Sequence, residues 1–338
     1  PISAPDPVTR GQKTARTPED PKSCRVSVDN LSVTYHPLSW HQVHQLLGDV
    51  VEEVSDVLGG HSEDWIEQEY GYKSYRRSLI GPANSRLHFD PRSGSDFNLS
   101  LPGQACQRAG TERLRTFFSS FVNAGAKARR VDLTLDDYER RITPARFLDE
   151  IRGPNRVTHS RAVLTIAGEV LGNPDSGETI YLGAAKSARR LRVYDKAFES
   201  GGDIDAIRWE LQERNRAAEK AAYDLAYGDW NEVVRSRLVG FVDIRLRESA
   251  QEVEDRLRWE PYEELIEGAK RAQAYFPVAE KSIEETEEWF RVHQGPTLAM
   301  LLQHHGGDLG VIEEYARDGR SRWRPKHLAL IASAKKKY

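Results

Sequence analysis

The chain has 338 residues, which exceeds the usual size of one domain and predicts either one large domain with a smaller one or two domains. Hydrophobic residues make up 38% and aromatic residues 9%, so the composition is globular rather than disordered. The formal net charge is -3, which excludes a protein that coats nucleic acid through overall positive charge. Any binding to nucleic acid would have to use local basic patches.

The sequence predicts neither a membrane protein nor a disulfide scaffold. No apolar run approaches the roughly 20 residues that a membrane helix needs, so we expect a cytoplasmic protein. Cys24 and Cys106 are the only cysteines, and their positions do not fit metal-ligand spacing. We expect two reduced thiols.

The first third of the chain alternates between strand and helix patterns. Residues 1–24 are rich in Pro, Thr, Ser and charge without apolar periodicity, which predicts a flexible arm. A strand is expected in "RVSVDNLSVTY", followed by a helix with Ser39 as its N-cap and Gly59 at its end. Residues 70–107 contain short alternating runs broken by Gly, Pro, Asn and Ser, which is typical of antiparallel strands in a meander.

The rest of the chain continues with a helix in "GTERLRTFFSSFVNAG" and a strand in "ARRVDLTLDDYE". Thr143 and Pro144 mark the start of another helix, and four strands are expected in "RAVLTIAGEV", "ETIYLGAA", "RRLRVYDKA" and "IDAIRWELQER". Beyond Arg214 a helical region is expected in "RAAEKAAYDLAYGDWNEVVRSRLVGFVDI", and short amphipathic helices are expected after it. We predict an α+β fold, with residues 25–244 built around an antiparallel sheet and residues 245–338 forming a helical C-terminal module.

Two of the predicted strands carry an arginine two residues before an acid. Because successive side chains of a strand point to opposite faces, Arg130 and Asp132 share a face, as do Arg208 and Glu210. If the strands are neighbours, Asp132 and Glu210 converge on a hard divalent cation such as Mg²⁺ or Mn²⁺. Asp136 shares that face but lies roughly 13 Å further along an extended strand, so it reaches the same ion only if the strand bends or ends. The alternative is that each arginine and acid form a structural ion pair.

A tyrosine lies among cations in the segment "TIYLGAAKSARRLRVYDKAFESG". Strand alternation puts Arg192, Tyr194 and Lys196 on one face. Nearby positive charge lowers the pKa of a tyrosine and favours the nucleophilic phenolate. The same cations suit a phosphodiester, whose negative charge grows when it is attacked. The pattern makes Tyr194 a candidate nucleophile, and the alternative is a structural tyrosine on an edge strand.

Several segments together resemble one family of proteins. "VDNLSVTY", "LSLPGQACQ", "RRVDLTLDD", "TIYLGAAKSARRLRVYDK", "IRWELQER" and "TLAMLLQHHGG" occur in the order seen in the Rep_trans family, the rolling-circle replication initiators of plasmids, phages and integrative elements. The most specific motif is matched by Gly183, Ser187, Arg192, Tyr194, Asp195 and Lys196. The resemblance implies a sheet related to HUH-like replication initiators. The chain departs from that wider group because no His-hydrophobic-His pair lies beside the acidic strands.

The resemblance implies a metal-dependent, relaxase-like nickase and strand transferase. Tyr194 would join the 5′ phosphate of the cut strand, leave a free 3′-hydroxyl primer, and later allow religation, while Asp132 and Glu210 match the acidic positions at the metal. The implied partners are origin DNA, double-stranded and single-stranded or extruded, and a host helicase and polymerase, with a homodimer left open. The rival hypotheses are a non-catalytic origin-binding regulator and a metal-dependent nuclease that uses water.

Other side chains are predicted to contact DNA through its phosphates. Around the tyrosine they are Lys186, Ser187, Arg189, Arg190, Arg130 and Arg208. Near the C-terminus, "RDGRSRWRPKH" mixes cations with Trp323 and adds Arg322 and Arg324, a combination suited to phosphates and stacked bases. The alternative for that segment is a solvated connection between helices.

Overall fold

The computed structural model describes residues 24–37, 40–92, 94–158, 160, 163–166, 177–275, 283, 286–287, 290–291, 294–323 and 331. The arm predicted for residues 1–24 lies outside these residues, except for Cys24. The chain divides into two compact units, Pro1–Phe276 and Pro277–Tyr338. This division falls later than the boundary predicted after residue 244, and the roles predicted for the two parts stay predictions.

The first unit is built around a ten-stranded sheet in which every neighbouring pair is antiparallel. Its strand order is β2-β3-β4-β5-β1-β6-β11-β10-β9-β8, and two further short strands, β7 and β12, pair separately. The strands are β1 (Arg25–Tyr35), β2 (Ile66–Gln68), β3 (Tyr75–Ile80), β4 (Arg86–Pro91), β5 (Phe97–Leu101), β6 (Lys127–Asp137), β7 (Arg156–Val157), β8 (Val163–Ile166), β9 (Thr179–Leu182), β10 (Arg189–Asp195), β11 (Ile207–Arg214) and β12 (Asp243–Ile244). The predicted α+β fold with an antiparallel sheet is confirmed.

Helices lie between the strands of this sheet and after them in the chain. Within the described residues they are α1 (Trp40–Leu58), α2 (Gly103–Asn123), α3 (Pro144–Arg152), α4 (Lys196–Ser200), α5 (Arg216–Tyr227), α6 (Trp230–Phe241), α7 (Glu260–Ile266), α8 (Gly295–His304) and α9 (Leu309–Arg320). The start predicted for α3 is confirmed, because the side chain of Thr143 accepts a hydrogen bond from the Arg146 amide and Pro144 is the first helical residue.

The central strands have one buried face and one polar face. Leu133 and Leu135 of β6 and Trp209 of β11 are fully buried. The ring of Trp209 packs against Phe147 of α3 and Tyr262 of α7, at centroid distances of 4.8 and 6.0 Å. Burying side chains of this size stabilises the fold by about 1.5–3 kcal/mol each. Since every second residue is held in this core, the residues between them are fixed on the opposite face of the sheet.

Helices α2 and α5 cover the buried face of the sheet beside β1 and β6. The α2 helix contributes a cluster of buried phenylalanines, Phe117, Phe118 and Phe121. The α5 helix turns small side chains inward, Ala217, Ala218, Ala221 and Ala222. Small side chains let a helix approach a sheet closely, so these two elements fill the core with complementary shapes.

A buried ion-pair network joins α6 to the same face. Arg237 is fully buried, and its Nε donates to Glu213 Oε2 over 2.7 Å while its Nη1 donates to Asp224 Oδ2 over 2.7 Å. Glu213 also accepts a hydrogen bond from Arg189 Nε at 2.8 Å. Charges this far from water are tolerated only when they are paired and hydrogen-bonded. The network therefore ties α5 and α6 to β10 and β11.

Residues 245–275 complete the core of the first unit. Tyr262, Leu265 and Ile266 of α7 are fully buried, and the Tyr262 hydroxyl donates to the carbonyl oxygen of Val242 over 2.6 Å. The backbone amide of Ala272 donates to the carbonyl oxygen of Ser236 on α6. The first unit therefore needs chain beyond residue 244 for its packing.

The second unit contains α8 and α9. Asp308 caps α9 by accepting a hydrogen bond from the Gly310 amide over 2.8 Å. At the end of α9, the guanidinium of Arg320 lies 5.7 Å from the ring centroid of Trp323, and Arg322 is exposed. Arg324 lies outside the described residues. Across the described part of the chain, no helix has the length and apolar character needed to cross a membrane.

Candidate active site

The polar face of β6, β11 and β10 carries most of the predicted site residues. Glu210 of β11 pairs in register with Thr134 of β6 on one side and with Arg192 of β10 on the other. One step along, Arg208 lies between Asp136 and Tyr194. The three strands are adjacent, so side chains distant in sequence form one continuous patch.

Tyr194 is at the centre of this patch and is only 3% exposed. Its hydroxyl lies 2.9 Å from Glu199 Oε2 and 3.4 Å from Glu210 Oε2, so a single proton has two carboxylate acceptors. The guanidinium carbon of Arg192 lies 3.7 Å from the centroid of the phenol ring, and Lys196 Nζ lies 5.8 Å from it. The phenol is therefore packed between positive charge on its ring and negative charge at its oxygen.

The pKa of Tyr194 runs opposite to the sequence-based expectation. Burial raises the pKa of the phenol well above its usual range, and the negative charge of Glu210 raises it further. Arg192 and Arg208 act in the lowering direction that the sequence suggested, but their effect is smaller. The tyrosine is therefore a neutral phenol at neutral pH.

Glu199 belongs to this site, although it was not among the residues predicted from the sequence. Asp195 caps α4 by accepting a hydrogen bond from the Ala197 amide, and the helix carries Glu199 back over the phenol. Glu199 Oε1 accepts from Arg192 Nη2 at 2.7 Å, and Oε2 pairs with Lys196 Nζ. The signal in the sequence is an Asp cap followed by Lys and Glu three residues apart, which places the two on one helix face.

The two carboxyls that contact the phenol differ in proton affinity. Burial raises the pKa of Glu210 to about 7; Arg192 offsets part of this increase, and the negative charge of Asp132 adds to it. Burial also acts to raise the pKa of Glu199, but hydrogen bonds from Lys196, Arg192 and Tyr194 outweigh it and lower the value to about 2. Glu199 is therefore an anion at neutral pH, whereas the positive charge near Glu210 does not fully offset the effect of burial on its carboxylate.

The other two predicted metal-binding acids are held by arginines. Arg130 Nε lies 2.9 and 3.0 Å from the two carboxylate oxygens of Asp132. Arg208 forms a buried two-point contact with Asp136, with distances of 2.6 Å from Nε to Oδ1 and 2.7 Å from Nη2 to Oδ2. Arg130 and Asp132, two residues apart on β6, therefore form the ion pair that the alternative predicted. Arg208 does not pair with Glu210 on its own strand; its partner is Asp136 on the neighbouring strand.

Asp29 is a further acid that the sequence did not single out. It lies where the register between β1 and β6 shifts, between Val28 and Asn30. Its Oδ1 accepts from Arg208 Nη1 at 3.1 Å, and burial raises the pKa of its carboxyl, with Asp132 also acting in the raising direction. The bulge brings the side chain of Asp29 into the site. Because a bulge depends on pairing with a distant strand, the residue pattern of one strand does not reveal it.

The carboxylate chemistry suits a divalent ion at some of these positions and not at others. Among the residues that the structure describes, no three His, Cys, Asp or Glu side chains form a group ready to hold a metal. The negative charges of Glu210 and Asp132 nevertheless repel each other in a buried place, and a hard cation would relieve this repulsion. An arginine bonds both oxygens of Asp132 and of Asp136, but Arg130 is 39% exposed whereas Arg208 is buried, so Asp136 is the poorest candidate.

The predicted DNA contacts are divided between the two faces of the sheet. Lys186 is exposed in the loop before β10, and Arg190 lies on the polar face with its guanidinium carbon 3.9 Å from the ring centroid of Tyr181. Arg189 instead points into the buried face, where it is only 11% exposed and is bound to Glu213 and to the carbonyl oxygens of Gly240 and Arg237. Arg189 is better explained as an ion-pair partner of the core than as a DNA contact.

The loop between β9 and β10 is shaped by one glycine. Gly183 has a φ of 104°, which L side chains rarely adopt, and a Cβ there would lie 3.0 Å from the carbonyl oxygen of Arg189. Ser187 follows in the same loop, where its amide donates to the carbonyl oxygen of Ala184 in a turn. The backbone requirement explains why the motif begins with glycine.

Comparison with known proteins identifies the class. Residues 126–315, more than half of the chain, match the profile of the replication initiation factor family, Rep_trans, and the chain belongs to this family. The matched range includes β6, β10 and β11, which carry the site described above.

A solved structure has a similar fold. It is the rolling circle replication initiator protein from Geobacillus stearothermophilus, which superposes with a TM-score of 0.59 at 18% sequence identity and covers 75% of this chain and 100% of that one. No curated protein matches the chain. The family assignment thus comes from the sequence profile, and the solved structure supports the fold.

Proposed function

We propose that this chain initiates rolling-circle replication by nicking origin DNA with Tyr194. The observation that carries the proposal is the placement of one phenol hydroxyl between two carboxylates and beside Arg192 and Lys196, in a member of a replication initiation factor family. The name and fold of the Geobacillus protein support the rolling-circle mode.

The reaction is a transesterification. The Tyr194 oxygen bonds to phosphorus, the phenol proton passes to Glu210 Oε2, and the bond from phosphorus to the 3′ oxygen breaks. The products are a 5′-phosphotyrosine and a 3′-hydroxyl, which takes its proton from solvent water and serves as primer. Attack by a 3′-hydroxyl on the phosphotyrosine reverses these steps and religates the strand.

The positive charges around the phenol have a role in this reaction. Arg192 and Lys196 would bind the non-bridging oxygens and stabilise the negative charge that grows on the phosphoryl group. Asp132 and Glu210 would hold Mg²⁺ or Mn²⁺, and a bound divalent ion supplies Lewis-acid polarisation of a phosphoryl oxygen. Origin DNA is the substrate, while a host helicase and polymerase and a homodimer stay predictions.

A denaturing gel tests the proposal. The protein is incubated with Mn²⁺ and supercoiled DNA of the replicon that encodes it, and the expected product is a covalent protein–DNA adduct. Cleavage without an adduct would indicate a nuclease that uses water, and the absence of both products would indicate a non-catalytic binding protein. Either result contradicts the proposal.

Tyr194→Phe identifies the nucleophile. It removes only the hydroxyl oxygen, so we expect no detectable adduct while affinity for single-stranded DNA stays within about twofold of the wild type, because the ring and its cations remain. Tyr181→Phe is the matched control, since Tyr181 lies on the adjacent strand in register with Arg192. Adduct formation by Tyr194→Phe would move the nucleophile to another residue.

A further inference from the structure

The carboxylate of Glu199 contacts three groups that the proposed reaction uses to bind and attack a DNA phosphate. One oxygen accepts from Arg192 Nη2 at 2.7 Å; the other accepts from the Tyr194 hydroxyl at 2.9 Å and pairs with Lys196 Nζ. A phosphodiester resembles this carboxylate in carrying one negative charge over two terminal oxygens. The same three donors therefore suit either anion.

Glu199 is also the more exposed of the two carboxyls that contact the phenol. Its side chain is 43% exposed, unlike the buried Glu210, and it lies on the short helix α4, which ends at Gly201 in the left-handed conformation. Rotation of one side chain into solvent would uncover Arg192 and Lys196 without moving the strand that carries Tyr194. The neighbouring ion pairs of the sheet, such as Arg208 with Asp136, are buried and do not offer this possibility.

We propose that Glu199 occupies the subsite of the scissile phosphate in the DNA-free protein, and that a phosphodiester binds there by displacing it from Arg192 and Lys196. This inference rests on the proposed function for the identity of the site. Glu199 acts through the two cations and is a positioning residue rather than a group that reacts. While Glu199 occupies the subsite it weakens the binding of non-specific single-stranded DNA, because the phosphate that enters must first break two existing ion pairs.

A role as general base is the competing explanation for Glu199, since it contacts the phenol. Three donors stabilise its negative charge and hold the pKa of its carboxyl at about 2, which makes it a poor proton acceptor. Loss of a general base lowers the rate of the chemical step by about 10²–10⁴-fold. Loss of a displaceable anion would instead change binding and leave that step nearly unaltered.

Glu199→Gln tests the inference by binding alone. Fluorescence anisotropy of a labelled oligothymidylate in chelator measures affinity without cleavage, and we expect Glu199→Gln to bind about three- to tenfold more tightly than the wild type. The dependence of affinity on salt should also steepen, because freed cations displace more counterions from the DNA. Circular dichroism confirms that the exposed substitution leaves the fold intact.

Two controls make the binding result specific to phosphate at this site. Glu112→Gln removes the same charge from an exposed residue of α2, on the helical side of the sheet, and should leave affinity unchanged. An oligothymidylate with neutral methylphosphonate linkages should bind both proteins equally. Unchanged or weaker binding by Glu199→Gln, or an equal gain with Glu112→Gln or with the neutral oligonucleotide, overturns the inference.

Adduct formation separates this inference from the proposed function. At saturating DNA, a drop of about 10²-fold or more in the single-turnover rate of Glu199→Gln would make Glu199 a base and overturn the inference. If the wild type forms no adduct, the nicking proposal fails, and the anisotropy comparison still decides whether Glu199 competes with phosphate.

Discussion

Tyr194 shows how strongly a residue's reactivity depends on neighbours from other parts of the chain. Alternation along β10 placed Arg192 beside the phenol, and the structure agrees. The raised pKa comes instead from burial and from Glu210, which lies on a different strand. The residue pattern therefore predicted the position of the tyrosine, but the sign of its pKa shift depends on packing that a strand pattern does not contain.

The raised pKa of Glu210 leads us to expect an unusual pH dependence of stability. The pKa of its buried carboxyl is about 7 in the folded protein, above the ordinary value of 4.5. The contribution of Glu210 to the stability of the folded protein is complete below about pH 4.5 and is lost as pH rises through 7, because the folded protein must then ionise a buried acid. The loss is on the order of 3 kcal/mol.

Glu210→Gln removes this ionisation. In chelator, we expect the variant to melt at a higher temperature than the wild type at pH 8 and at nearly the same temperature at pH 5. Thermal unfolding followed by tryptophan fluorescence at both pH values measures this, with Glu112→Gln as a control that should show no such difference. A lower melting temperature at both pH values would mean that the ion pair with Arg192 dominates.

At the scale of elements, the strands and most helices follow from local patterns, while their arrangement does not. The β1 strand is first in the chain but lies in the middle of the sheet between β5 and β6. The two-residue strands β7 and β12 were not predicted, because they exist only through pairing with each other. The break between α5 and α6 also escaped prediction, although Asp229 caps α6 by accepting from the Glu232 amide.

The pairing of β6 with β11 gives Asp136 a structural contact, its buried ion pair with Arg208. Asp136→Asn leaves the buried guanidinium of Arg208 without its two-point partner, which we expect to cost about 3–5 kcal/mol of unfolding free energy. Urea unfolding measures the loss, which should be the same in chelator and in Mn²⁺. The control is Asp90→Asn, which weakens an exposed pair with Arg76 and should cost about 1 kcal/mol or less. Recovery of Asp136→Asn by Mn²⁺ would support the metal-ligand prediction instead.

At the scale of the whole molecule, residues 245–275 belong physically with the sheet. Composition changes after Arg214, which suggested an early boundary, but the fully buried Tyr262 and Ile266 pack in the first unit. A run of short amphipathic helices looks alike in sequence whether it covers a sheet or forms a separate unit. The location of its apolar partners decides the matter, and that location is long-range information.

Two truncations test this boundary and the predicted role of the C-terminal module. A fragment of residues 24–276 should fold cooperatively, whereas a fragment of residues 24–247 should not, because it lacks α7 and its buried tyrosine. Thermal melts followed by circular dichroism distinguish the two. We expect the longer fragment to cleave a single-stranded oligonucleotide carrying the nick sequence but to lose discrimination among duplex origins. Full-length preference for origin over scrambled duplex at matched salt would place duplex specificity in the first unit.

The alternation of core and site along β6, β10 and β11 also restricts how related sequences can differ in length. Inserting or deleting one residue within β10 would turn Tyr194 toward the core and Val193 toward the polar face, so both packing and chemistry would be lost together. The exposed turn at Gly201 and Gly202, between β10 and β11, can change length without this effect. Gaps in alignments of homologous chains should therefore fall between these strands, and the spacing from Arg192 to Lys196 should stay constant while the residues around it diverge.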